Sequence, residues 1–250
     1  MGKTFLNISL SGVVFLLNVL FFNIDSARGT GEEELEGVIE PSEVIELSSQ
    51  VPGIIDQVLV ERGDRVEKGQ VLVRLKSGVE KAAVELARAR VAFGKRKVVR
   101  NEKLYQKQLI SIHEKDEMET ELKITEAQLK EAIEKLELRI IRSPIQGVVV
   151  ERTLGPGEYI GEGSIMSIAR IDPLYIEVIA PINWLGKIKK GMNAQVRAET
   201  TAGGVYKARV IIVDQVVDAA SGTFGVRLEL PNPSYSLPAG LRCRVRFMKE

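Results

Sequence analysis

His113 and Cys243 are the only histidine and the only cysteine in the chain, and that scarcity removes whole classes of chemistry. A zinc site draws three or four ligands, usually imidazole nitrogens and thiolates. A single thiol forms no intrachain disulfide, so cysteine usage gives no redox compartment. No nucleophile–base pair, phosphate-cradling glycine loop or carboxylate dyad stands out. Lys68 sits in the turn "EKGQ" and reads as solvated. His113 lies beside a turn, where a solvated or capping role is expected rather than pH sensing. Cys243 falls in the alternating run "LRCRVRF", at an inward-facing strand position. The formal net charge is +1, so no global field draws the chain to nucleic acid. The residues therefore point to a protein that is not an enzyme, with no cofactor and no metal.

What remains is architecture. "GIIDQVLVERGDRVEKGQ" begins at Gly53, and "GVVVERTLGPGEYIGEG" at Gly147 repeats its glycine spacing. Gly53, Gly63 and Gly69 follow the pattern G-x9-G-x5-G, and Gly147, Gly157 and Gly163 follow it again 94 residues later. Around the first set, residues 43–76 alternate apolar and polar with glycine turns, the texture of four or five short strands. Each repeat alone is too small to bury a core. Together they make one sandwich with quasi-two-fold symmetry, so whatever lies between them must leave and return at the same place.

Between them, residues 79–140 carry no proline, a single glycine (Gly94), and mostly strong helix formers. Met118, Leu122, Thr125, Leu129, Ala132 and Leu136 alternate by four and three, a heptad seam. In the first half Val79, Leu86 and Phe93 are seven apart, with Ala83 and Leu104 on the adjoining face. "LISIHEKDE", residues 109–117, breaks the pattern and reads as the turn. Residues 79–108 carry nine Lys/Arg against three Glu, and residues 114–140 five against nine Asp/Glu. A basic helix lying antiparallel on an acidic one is expected, with the apolar seam supplying most of the stabilisation. Residues 171–250 return to short strands, read as a small β-barrel, with "INWLGKIKK", residues 182–190, as a short helix ending at Gly191 and closing the barrel mouth around Trp184. Residues 1–27, with Lys3, the apolar run Val13–Phe22 and small residues at Ser26 and Ala27, have the layout of a secretory signal peptide, or of a retained anchor. The expected fold is thus mixed α and β, elongated and multidomain. It comprises a linker and first strand (28–42), a split lipoyl-like β-sandwich (43–78 plus 141–170), an inserted antiparallel α-helical coiled-coil hairpin (79–140) and the barrel (171–250).

Each glycine half resembles half of a biotinyl/lipoyl carrier domain. The order of signal, half-lipoyl, hairpin, half-lipoyl and barrel resembles the periplasmic adaptor subunits of tripartite efflux pumps, the HlyD-like membrane fusion proteins. "SPIQGVVVERTLGPGEYIGEGSIMSIARIDPLYIEV" and "SGTFGVRLELPNPSYSLPAGLRCRVRF" are similar to that family's second half-lipoyl segment and closing barrel strands. The resemblance implies three partners. These are an inner-membrane efflux transporter, most readily of the resistance-nodulation-division (RND) type, an outer-membrane channel, and other copies of the chain in an oligomer around the pump. It implies a periplasmic location associated with the inner membrane. Family members that dock on a channel carry Arg-x3-Leu-x6-Ser near the hairpin tip, and "RNEKLYQKQLIS" places Arg100, Leu104 and Ser111 at that spacing. The resemblance implies that these three contact the channel; Ser111 could equally cap the returning helix. The family often adds a membrane-proximal domain, and no complete one is expected in this chain. Two alternatives stay open: a carrier domain of a transfer enzyme, for which no Met-Lys-Met or Asp-Lys-Ala triplet is present, and an adaptor of an ATP-driven export pump.

Overall fold

The computed structural model describes residues 34–199 and 204–248; the expected signal peptide or anchor lies outside them. In chain order its elements are β1 (Leu35–Ser48), β2 (Gly53–Val58), β3 (Arg65–Val66), β4 (Val71–Leu75), α1 (Gly78–Gln106), α2 (Ile112–Glu137), β5 (Ile140–Arg142), β6 (Gly147–Arg152), β7 (Tyr159–Ile160), β8 (Ser164–Pro181), β9 (Asn193–Ala198), β10 (Val205–Val213), β11 (Thr223–Leu230) and β12 (Arg242–Phe247).

The glycine repeat becomes an exchange of strands. β2 pairs with β7 through Gly53↔Ile160 and Ile54↔Tyr159, and β6 pairs with β3 through Gly147↔Val66 and Val148↔Arg65. Adding 94 to one partner of each pair and subtracting it from the other converts one set into the other. The loops obey the same rule: Gly63 N–H donates to Val149 O, and Gly157 N–H to Ile55 O, both at 2.8 Å. Gly63 and Gly157 have φ +94° and +89°, in the left-handed region that side chains disfavour. Each turn is closed by an acid three residues on. Asp64 Oδ2 accepts from Glu61 N–H at 2.8 Å, and Glu158 Oε2 from Gly155 N–H at 2.6 Å. Gly147 answers a different demand, because a Cβ there would lie 2.3 Å from Ala169 O. The interlocked halves share one core around Ile55, Val66, Leu72, Val149, Ile160 and Met166.

The barrel is closed by six strands in the order β1-β12-β9-β10-β11-β8, with β8 returning to β1. β1 and β8 run through both bodies. Gly37–Pro41 pairs with Leu174–Val178 in the barrel and Glu43–Leu47 with Met166–Arg170 in the sandwich, with a register shift between. Leu174, Ile176, Val178 and Ala180 alternate into the barrel core, the period-two pattern of a strand with one wet face. Cys243 is buried in that core. The expected helix over 182–190 is reduced to a 3₁₀ turn at Ile182–Trp184. The backbone is already extended at Leu185, φ −61° and ψ 130°, and the irregular segment that follows buries Ile188 while Trp184 packs on Phe247.

The two helices lie antiparallel. Cross-helix ion pairs join Lys95 to Glu126, Lys97 to Glu121 and Glu102 to Lys115 at 3.2, 2.7 and 2.9 Å, the number falling on α2 as it rises on α1. The link between them is residues 107–111, shorter than the expected turn because α2 already begins at Ile112. All six seam residues expected on α2 are half-buried. On α1 the expectation is corrected. Val79, Leu86 and Phe93 are 81%, 55% and 59% exposed, and the buried residues are Val84, Ala87 and Val91. That second stripe continues to Gly94, where an added Cβ would meet Leu122 Cδ1 at 3.1 Å. Its smaller side chains let the backbones approach and bring Lys95 and Lys97 alongside the acids of α2. At the base, Arg139 ties the pair to the sandwich, donating from Nε to Glu80 at 2.9 Å and from Nη1 to Pro52 O at 2.8 Å.

Candidate partner-docking site at the interhelical turn

The sequence places three site residues near this turn, and the structure gives them unequal surroundings. Arg100 is exposed, two turns before the end of α1, and no acid pairs with it among the described residues. Leu104 is half-buried four residues on, on the same face. Its carbonyl accepts from Lys107 N–H at 3.1 Å and Leu109 N–H at 2.9 Å, while Gln108 N–H donates to Tyr105 O at 2.8 Å. This is a Schellman ending, which requires a left-handed residue at the position after the cap. Gln108 takes it, with φ 58°.

Ser111 is the N-cap of α2. Its hydroxyl accepts from Glu114 N–H at 3.2 Å, and Glu114 Oε2 accepts from Ser111 N–H at 2.8 Å and from its hydroxyl at 2.9 Å. The capping box satisfies donors that the helix start leaves open. These bonds hold the Glu114 carboxyl below its ordinary value, the Ser111 backbone N–H first and its side chain second, with a small contribution from His113. His113 itself is exposed.

Sequence reasoning missed what surrounds the three. Lys115 bridges to Glu102 and lies 4.8 Å over the Tyr105 ring, locking the last turn of α1 to the first of α2. The bond between them lowers the Glu102 carboxyl and raises the Lys115 ammonium from their ordinary values. Leu109 and Ile112 are 66% and 54% exposed on either side of Ser111. Two apolar residues flanking a helix cap were the available signal, hidden because the whole stretch read as turn. A rigid, doubly capped turn with an unpaired guanidinium and two uncovered aliphatics is suited to seating in another protein. Among the described residues no group of three or more His, Cys, Asp and Glu could hold a metal ion. Lys68 is exposed in its turn.

Comparison with known proteins bears on the domains that carry this turn. The CzcB-like barrel-sandwich hybrid domain matches residues 43–169, and the CusB-like β-barrel domain matches residues 173–250. The chain therefore belongs to the CzcB-like barrel-sandwich hybrid family, with the layout of a membrane fusion protein. It is 26% identical over 224 residues to the solvent efflux pump periplasmic linker SrpA of Pseudomonas putida, covering 83% of this chain and 59% of that one. It is 26% identical over 242 residues to the multidrug resistance protein MdtE of Escherichia coli K12, covering 83% and 62%. The chain thus spans less than two thirds of these relatives' length. Among solved structures, the MacA–MexA chimera bearing the Pseudomonas aeruginosa MexA α-hairpin domain shares the fold. Its TM-score is 0.72 at 21% identity, over 86% of this chain and 80% of that one.

Proposed function

We propose that this chain is a non-catalytic periplasmic adaptor that links an inner-membrane efflux transporter of the RND type to an outer-membrane channel. The observation that carries this reading is the insertion of a long antiparallel helical pair between two interlocked halves of one sandwich, ending in a capped turn with exposed docking groups. A 29-residue α1 extends ~40 Å at 1.5 Å per residue, so the turn is held well clear of the sandwich. In this reading Arg100, Leu104 and Ser111 meet the channel, Arg100 by a charge-assisted bond to a carboxylate or carbonyl. Leu109 and Ile112 add the apolar contact. The names of the relatives, an efflux pump periplasmic linker and a multidrug resistance protein, support the same class.

The uncovered stripe of Val79, Leu86 and Phe93 supports a ring of copies, with the basic α1 of one against the acidic α2 of the next and the helices in side-by-side coiled-coil packing. A photo-crosslinking amino acid at Leu109, which leaves the Ser111 cap intact, tests the docking in cells. The expected result is capture of an outer-membrane channel in the parent protein and loss of that capture in Arg100→Asp. Capture of nothing, or of other copies alone, would remove the channel from the function and leave the fold.

A further inference from the structure

The pole of the barrel farthest from the sandwich carries a surface that the adaptor reading does not use. β8 leaves the sandwich after Arg170 and ends at Pro181, which pairs with Thr223 at the start of β11, so the 214–223 turn belongs to this pole. Ile182 N–H donates to Gly222 O at 2.9 Å, fixing the start of the 182–192 segment against that turn. Around this junction Ile179, Ile182, Leu185 and Val216 are 70%, 55%, 49% and 82% exposed. The segment is pinned from below by Trp184 and Ile188 on the barrel core, so its exposed side chains sit on a fixed base. Lys187, Lys189 and Lys190 are exposed on the same segment, Lys187 lying 5.8 Å over the Trp184 ring.

Charge selects the occupant. Residues 182–193 contain no Asp or Glu. Of the acids nearby, Glu34 is bound by Arg246, and Asp218 accepts from Ala220 N–H and the Ser221 hydroxyl. Asp214 and Asp218 stay anionic, the Asp218 carboxyl held below its ordinary value by the Ala220 N–H, and they are outnumbered by the three lysines together with Arg209, whose Nε donates to Gly191 O at 3.3 Å. Projecting aliphatics ringed by lysines are the composition of a surface that beds into the headgroup layer of an anionic bilayer. Chain length agrees. The chain enters the barrel at this pole, at Leu35 beside Val245, and the apolar run Val13–Phe22 ends twelve positions before Glu34. If the run is kept as an anchor and not removed as a signal peptide, no more than ~40 Å of chain, at ~3.4 Å per residue, joins it to Glu34.

The geometry points to a membrane contact: the distal pole of the barrel rests on an anionic lipid surface, its aliphatics among the headgroups and its three lysines on the phosphates. This deepens the adaptor reading, on which it rests for the choice of the inner membrane's outer leaflet. Val216→Cys in the full chain, carrying a polarity-sensitive fluorophore, tests it; Cys243 is buried and does not compete for label. A second label at Lys107→Cys on the interhelical turn serves as control. The vesicles contain phosphatidylethanolamine and phosphatidylglycerol with nitroxide lipids. The expected result is nitroxide quenching at position 216, none at 107, and loss of the quenching when Lys187, Lys189 and Lys190 are all changed to Glu. Vesicle-bound protein with an unquenched 216 label overturns the proposal, as does quenching that survives charge reversal. Protection from aqueous iodide only when a transporter is present, without lipid quenching, overturns it in favour of a protein occupant. None of these outcomes depends on crosslinking at Leu109, so the two readings fail separately.

Discussion

Ser111 caps a helix and, in the proposed function, meets a partner; substitution separates the two demands. Ser111→Asp keeps a good N-cap while changing the group offered outward, and Ser111→Ala loses the cap at a cost of ~1 kcal/mol. The cap also carries a pH signature. The Glu114 carboxyl is held below its ordinary value of 4.5 by the Ser111 N–H and hydroxyl. A depressed carboxyl contributes stability that is present above its unfolded value and lost as pH falls through its folded one. A carbon-detected NMR titration of Glu114 is therefore expected to show a midpoint below 4.5, moved part of the way back by Ser111→Ala. A midpoint at or above the ordinary value would mean the box is open in solution. Gln108 predicts the opposite sign. Its left-handed backbone, φ 58°, strains an L residue by ~1 kcal/mol. Gln108→Gly is expected to raise resistance of the helical signal to urea, and an unchanged midpoint would place that strain elsewhere. The cap was legible in the sequence because Ser followed by Glu three residues on is a recognised start signal. The Schellman ending was not, since no glycine or asparagine marks position 108.

At the scale of elements, α1 shows where periodicity stops being informative. Val79, Leu86 and Phe93 repeat every seven residues, and Val84, Ala87 and Val91 continue by three and four to Gly94, so both stripes satisfy a heptad. The first holds larger apolar groups and attracts a sequence reading; the second buries against α2 because its small residues allow close approach. α2 carried one stripe, and there the seam was readable. The two stripes are expected to respond differently to truncation. Val91, 7% exposed, should cost ~2 kcal/mol when changed to alanine, the transfer of its methyl groups plus a residual cavity. Phe93, 59% exposed, should cost no more than ~0.5 kcal/mol in dilute protein, while weakening self-association in sedimentation at high concentration. Equal destabilisation of the dilute chain by both changes would put Phe93 inside the helix pair and withdraw the stripe from the ring interface.

For the whole molecule, the barrel is closed by a strand that belongs to another part of the chain. Residues 35–41 of β1 lie between β12 and β8, separated in sequence from the rest of the barrel by the sandwich and both helices. Local patterns reveal that 35–41 is a strand and that a barrel follows later; they carry nothing that joins the two, because register across such a distance is set by packing. The 94-residue glycine offset was the exception, a long-range relation written as a repeat. Cys243 sits on the closing seam, opposite Gly37 on one side and Ala198 on the other, and its thiol reports on closure. Burial pushes that thiol up to about 12, with Glu199 adding in the same direction. Between its ordinary value of 9.0 and about 12 the folded chain holds a proton that the unfolded chain releases, so the contribution of Cys243 to stability is intact below pH 9.0 and declines as pH rises toward 12. Two measurements follow. The stability advantage of the parent over Cys243→Ala should narrow as pH rises above 9.0, and a thiol reagent at neutral pH should label Cys243 no faster than the chain unfolds. Labelling much faster than global unfolding would mean that β1 peels from β12 while the sandwich holds. The barrel closure, and with it the distal pole, would then be a separable and mobile part of the molecule.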